Sequence, residues 1–106
     1  MINKMRLISI GEGKVRFTYR VEKGERLIDI AERFDTSIEI LISINGLIEE
    51  VSCGELIIVE RGEGKKYFVK PWDTIESIAH NNGKEVFELV GKIKTDCVYV
   101  GQKIYI

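Results

Sequence analysis

Val21–Ala31 reads VEKGERLIDIA, and Val69–Ala79 reads VKPWDTIESIA, 48 residues further on. At that offset Val21, Ile30 and Ala31 recur as Val69, Ile78 and Ala79, Leu27 recurs as Ile75, and Glu25 as Asp73. Further along, Ile38, Leu41 and Ile42 meet Val86, Leu89 and Val90. One residue is then lost, and CGELIIV at Cys53–Val59 meets VGQKIYI at Val100–Ile106, with Gly54 over Gly101. The recurring apolar positions are ones that helices and strands bury, so the period marks a repeated supersecondary unit.

Each unit parses in the same way. Phe17, Tyr19 and Val21 alternate with polar residues, as do Tyr67 and Val69, which predicts an opening strand. Leu27, Ile30, Ala31 and Phe34 then fall at i, i+3, i+4 and i+7, the apolar face of a helix. Ile75, Ile78 and Ala79 keep that face, with Asp73 or Thr74 as N-cap, an Asp73–Glu76 capping-box spacing, and Asn81-Asn82-Gly83 as stop. A second helix follows. It opens at Ser37, buries Ile38, Leu41 and Ile42 and ends at Asn45-Gly46; its counterpart runs from about Lys84 to Gly91 and buries Val86, Leu89 and Val90. Glu55–Val59 and Gln102–Ile106 close the units as strands. The fold class is α+β, with β-α-α-β twice, each unit a two-stranded antiparallel sheet carrying two helices on one face. Units of this size bury little core and are only modestly stable alone.

The expected boundaries are an N-terminal extension at 1–16, a first unit at 17–59, a linker at 60–65 and a second unit at 66–106. The linker, Glu60 to Lys65, is polar and carries glycine without proline. The tetrapeptide GEGK also occurs at Gly11–Lys14 after an apolar RLISI. Residues 5–10 are therefore either an extra strand, as a remnant of an upstream unit or an edge strand, or a chance likeness.

Composition excludes several functions. Of 106 residues, 44% are hydrophobic and 31% charged, which fits a globular chain. Sixteen Lys and Arg against 17 Asp and Glu leave a net charge of −1, without the basic field that nucleic-acid binding needs. No apolar run is long enough for membrane insertion, and the N-terminus lacks a signal peptide. Synthesis in the cytoplasm is expected, with the destination open. Cys53, Cys97 and the single His80 do not make a zinc site, and no metal or cofactor is expected. The two cysteines are read as reduced, partly buried thiols, with a disulfide left open. No catalytic residues are assigned: His80 reads as a solvated side chain, nothing orients a third group behind Cys97 and His80, and Asp29 with Glu32 share a helix face without a cleft. The chain is expected not to be an enzyme.

The ordered set YRVEKGERLIDIAERF, SINGL and CGELIIV, then YFVKPWDTIESIAHNNG and VGQKIYI, resembles the LysM domain, a β-α-α-β carbohydrate-binding module. The likeness covers about residues 17–59 and 66–106 and implies two LysM-like units in tandem. It implies a shallow groove for N-acetylglucosamine-containing glycans, peptidoglycan or chitin-type, between the first strand–helix turn and the loop after the second helix. Its residues would be Gly24, Glu25, Arg26, Leu27 and Ile28 with Asn45, Gly46, Leu47 and Ile48 in unit one. In unit two they would be Trp72, Asp73, Thr74 and Ile75 with Ile93 and Lys94. Such a loop can pair an N-acetyl group's donor and acceptor and cover its methyl. Glu25-Arg26 replaces the pattern's Asp-Thr, Trp72 replaces its Gly, and Ile93 its Asn. Trp72 is either an exposed stacking face for a pyranose or a buried core anchor.

The competing expectation is an assembly role, in which LysM-like units act as connectors to a protein partner, as in spore coats or phage tails and baseplates. The cell wall, spore coat or phage particle are the destinations these two expectations imply. Exposed turn residues beside an open groove speak for the glycan; an exposed apolar patch or an unpaired edge strand speaks for the connector.

Overall fold

The computed structural model describes residues 5–9 and 15–106, and the chain divides between Gly62 and Glu63. The first unit holds β1 (Met5–Ser9), β2 (Val15–Arg20), α1 (Leu27–Arg33), α2 (Ile38–Asn45) and β3 (Leu56–Glu60). The second holds β4 (Lys66–Phe68), α3 (Ile75–Asn81), α4 (Val86–Ile93) and β5 (Lys103–Tyr105). The Gly11–Lys14 tetrapeptide and Ile10 lie outside the described residues.

The first sheet has three strands rather than two. Its order is β1-β2-β3, all antiparallel, with Leu7 opposite Phe17 and Tyr19 opposite Ile57. Tyr19, Val21, Ile57 and Val59 face the helices and meet Leu27, Ile30, Ala31 and Leu41 in one core. Phe34 closes that core edge-on against both Phe17 and Tyr19, with ring centroids 5.1 and 5.0 Å apart. On the other face Arg16 donates to its cross-strand partner Glu60 at 2.6 Å. Glu60 thus belongs to β3 rather than to a linker.

Among the described residues the second sheet is β4 and β5, paired antiparallel with Tyr67 opposite Ile104. Val69, Ile78, Ala79, Leu89, Ile93, Ile104 and Ile106 form its core. Lys65 exchanges both backbone hydrogen bonds with Ile106, which extends the pairing one residue beyond β4.

The helix ends follow local chemistry. Ser37 Oγ accepts from the Ile40 amide and starts α2, and Gly46 stops it at φ +61. Thr74, not Asp73, caps α3: its Oγ1 accepts from the Ser77 amide while Ser77 Oγ accepts from the Thr74 amide. The box therefore pairs Thr74 with Ser77, and Asp73 is left outside the helix. α4 runs through Gly91 to Ile93, because Leu89 and Ile93, one turn apart, are both buried and outweigh the glycine. Inside α2 the most buried residues are Ile40 and Leu41, while Ile42 turns outward. In α4, Val86 is likewise exposed.

Cys53 and Cys97 are free and exposed rather than partly buried, since each sits on a loop. Asp96 beside Cys97 accepts its S–H at 3.4 Å and holds that thiol above its usual range, which disfavours the thiolate. His80 is exposed in the last turn of α3. Among the described residues, no helix is long and apolar enough to cross a membrane.

Candidate functional site

A groove of about 360 Å³ opens on the first unit. Arg26, Leu27 and Ile28 form one wall, Leu47, Ile48, Glu49 and Glu50 the other, and Ile38 and Ile42 the floor. Sequence reasoning names Arg26, Leu27, Ile28, Leu47 and Ile48 for this place; it misses Ile38, Ile42, Glu49 and Glu50. Ile48 is 97% exposed at the lip, an uncovered apolar side chain next to an apolar floor.

Glu50 joins the two walls. Its Oε1 accepts from the Leu27 amide at 2.7 Å and from the Val51 amide at 3.1 Å. Leu27 is the first residue of α1, so a carboxylate from the far wall satisfies a helix N-terminus. Arg26 at the N-cap has a donor-only guanidinium and supplies no acceptor of its own to the start of the helix. Asp29 serves the Arg26 amide itself at 2.8 Å. In the second unit the cap is local and serves a different amide: Thr74 Oγ1 accepts from Ser77 N, the third residue of α3.

The turn that leads into the first helix of each unit is locked by a tyrosine and an acid. Tyr19 Oη donates to Glu25 Oε1 at 2.5 Å, and the Glu22 amide donates to the same oxygen at 2.7 Å. Tyr67 Oη donates to Asp73 Oδ2 at 2.5 Å, and the Lys70 amide to the same oxygen at 2.8 Å. Burial first, then the Glu25 hydrogen bond, holds the Tyr19 phenol above its usual range. The hydrogen bond to Asp73 does the same to Tyr67, and the Tyr67 and Lys70 donors hold the Asp73 carboxyl below its usual range. In the first unit Arg33 Nη1 adds a bond to Tyr19 Oη at 3.0 Å. Glu25 and Asp73 thus point into their own turns.

Those turns share one geometry. Glu25 N donates to Glu22 O with Gly24 at φ +84, and Asp73 N donates to Lys70 O with Trp72 at φ +74. The third turn position of a type II turn needs positive φ and favours glycine, so a tryptophan there is an outlier. Trp72 is 96% exposed, which settles it as a surface residue and not a core anchor.

The remaining predicted residues have structural work. The Asn45 side chain lies on the edge of β3: Nδ2 donates to Leu41 O at 2.9 Å and Ile58 O at 2.7 Å, and Oδ1 accepts from Ile58 N at 2.7 Å. It imitates a neighbouring strand, so its amide is engaged by backbone. Gly46 and Lys94 are the helix stops, at φ +61 and +66. Ile93 is buried in the second core, and Ile75 packs half-buried against it.

The LysM domain family model matches residues 19–51, which span both groove walls. Residues 19–51 are similar to the LysM domain. LysM domains are typically peptidoglycan- or N-acetylglucosamine-binding modules. The match stops at residue 51, before β3 and the second unit. An endolysin of Bacillus phage PZA is 32% identical over 80 residues, 73% of this chain. The chain spans 31% of that endolysin's length. Among solved structures, the spore cortex-lytic enzyme SleL of Bacillus cereus is similar at 22% identity and a TM-score of 0.41, over 86% of this chain and 22% of SleL. The SleL of Bacillus megaterium QM B1551 is similar at 22% identity and a TM-score of 0.44, over 84% of this chain and 22% of its own.

Proposed function

We propose that the LysM domain of the first unit binds N-acetylglucosamine-containing glycans, of peptidoglycan or chitin type, in the groove between Arg26–Ile28 and Leu47–Glu50. The observation that carries this is the groove itself: an apolar floor for an N-acetyl methyl, bounded by two loops and a charged rim. The second unit is, on this proposal, a diverged LysM repeat. In support, it repeats the order β-α-α-β, the tyrosine–acid lock and both glycine-type turns. Its Trp72–Ile75 wall then takes the place of Gly24–Leu27. Shallow sites bind weakly, and two on one polymer add avidity.

The chain's role is proposed as non-catalytic attachment to cell-wall glycan. The phage relative is an endolysin, and a wall-binding part fits such company. The assembly reading is favoured by one observation, the exposed apolar residues around Trp72.

Replacing Ile42 with Asp puts a charge on the groove floor while changing a side chain that is already part-exposed. Calorimetric titration with a soluble N-acetylglucosamine oligomer should show binding in the parent and a loss of about tenfold or more in Ile42→Asp. Equal affinity in both would remove the groove from the proposal.

A further inference from the structure

The two units share turn geometry but not turn chemistry. At one end of the first sheet stand Arg20, Lys23, Gly24, Ser52 and Cys53. The equivalent positions of the second unit are Phe68, Pro71, Trp72, Tyr99 and Val100. All five are exposed, with Phe68 at 56%, Tyr99 at 59% and Val100 at 62%.

Backbone bonds bring these residues to one end of the sheet. Gly101 N donates to Val69 O at 2.7 Å and Val69 N to Gln102 O at 2.9 Å, so the turns 70–73 and 99–102 leave the sheet side by side. In the first unit Arg20 Nη1 reaches Gly54 O at 2.8 Å, so a side chain at that strand position extends to the second turn. Phe68 occupies the same position. Lys66 stands two residues before Phe68 and Lys103 is its cross-strand partner, with the Lys103 ammonium 5.9 Å from the Tyr105 ring centroid; Lys70, two residues after Phe68, is exposed with its ammonium 5.7 Å from the Tyr67 ring centroid. The one nearby carboxylate in these turns, Asp73, faces inward to Tyr67 and the Lys70 amide. The patch is aromatic with a cationic border.

We propose that Phe68, Trp72, Tyr99 and Val100 form a second, groove-independent surface that stacks on the pyranose rings of a long acidic amino-sugar polymer. This rests on the glycan reading above and extends it from short oligomers to the polymer. Three observations select this occupant. Flat aromatic faces suit the C–H faces of sugar rings. The lysine border complements carboxylate-bearing glycan strands over neutral ones. The patch is continuous in sequence with the Thr74–Ile75 wall, so one strand can lie across both. The unfavourable backbone at Trp72 fits this role: the turn holds an aromatic ring outward, rigidly, where glycine would fit more easily.

The test uses the full chain and two ligands. Sedimentation with insoluble peptidoglycan reads the polymer surface, and calorimetry with a soluble N-acetylglucosamine tetramer reads the first-unit groove. Trp72→Gly gives the turn its preferred residue, so folding is preserved; Tyr99→Ser is the second variant. Each should weaken peptidoglycan binding about tenfold, the scale of losing one aromatic anchor, and Tyr99→Ser should leave the tetramer affinity unchanged. Peptidoglycan should be retained better than chitin, with the difference falling in high salt. Unchanged sedimentation of both variants would overturn the proposal, as would a parent that does not sediment. So would a parent that self-associates by light scattering and a Trp72→Gly variant that does not, which would make the patch a contact between copies. Ile42→Asp separates the two proposals, since it removes the tetramer binding that Tyr99→Ser leaves in place.

Discussion

The carboxylate of Glu50 accepts a hydrogen bond from the Leu27 amide at 2.7 Å, so one wall of the groove caps the helix that begins the other. The position of each loop therefore depends on the other. Glu50→Ala leaves the Leu27 amide without its protein acceptor and should cost about 1 kcal/mol. Glu50→Gln keeps an acceptor and should cost less. Urea midpoints check both, and Cys97→Ala, at the equivalent place in the second unit, should leave the midpoint unchanged.

Asn45 is predicted to matter for stability more than for ligand. Three hydrogen bonds tie it to Leu41 and to both backbone groups of Ile58 on the outer edge of β3. Asn45→Ala leaves an edge strand partly unpaired and should destabilise the first unit by about 1–3 kcal/mol. The amide of Ile58 should lose protection from hydrogen exchange, while Ile104 in the second unit keeps its own.

The tyrosine–acid locks give the units a pH dependence of stated sign. Asp73 has a folded pKa below its unfolded one, so its contribution is present above the ordinary carboxylate range and is lost as pH falls through the folded value. Tyr19 and Tyr67 have folded values above the ordinary phenol, so their contribution is present below about pH 10 and is lost at higher pH. Tyr67→Phe should reduce the acid-side dependence that Asp73 brings, with the Lys70 amide still donating to the carboxylate. NMR titration of the Asp73 carboxyl in parent and variant measures it: the variant's value should move up toward an ordinary aspartate.

Much of the fold was legible because its signals are local. Val21 and Val69, the Leu27–Ile30–Ala31 face and the Ser37 and Gly46 caps each carry their own chemistry. The groove was half legible. Arg26–Ile28 and Leu47–Ile48 line it, but Glu50 acts across 23 residues on a backbone amide, and no periodicity reports that. Ile42 read as core because i, i+3, i+4 spacing does not say which turn of a short helix faces a cleft. Asn45 read as a site residue for the opposite reason: an amide before a helix-ending glycine suits a ligand or a strand edge equally. Ile93, buried where the first unit has that amide, shows the position as a packing one.

The central claim is that the first unit's groove takes an N-acetylglucosamine oligomer. A two-dimensional amide NMR titration of the full chain with a chitin oligomer of about four to six sugars tests it most directly, because even weak, millimolar binding moves amide shifts. The groove predicts shifts clustered on Arg26–Ile28, Ile42 and Leu47–Glu50, with the Leu27 amide among the largest. A folded protein whose groove amides stay still at millimolar ligand, with peptidoglycan fragments equally silent, would contradict it.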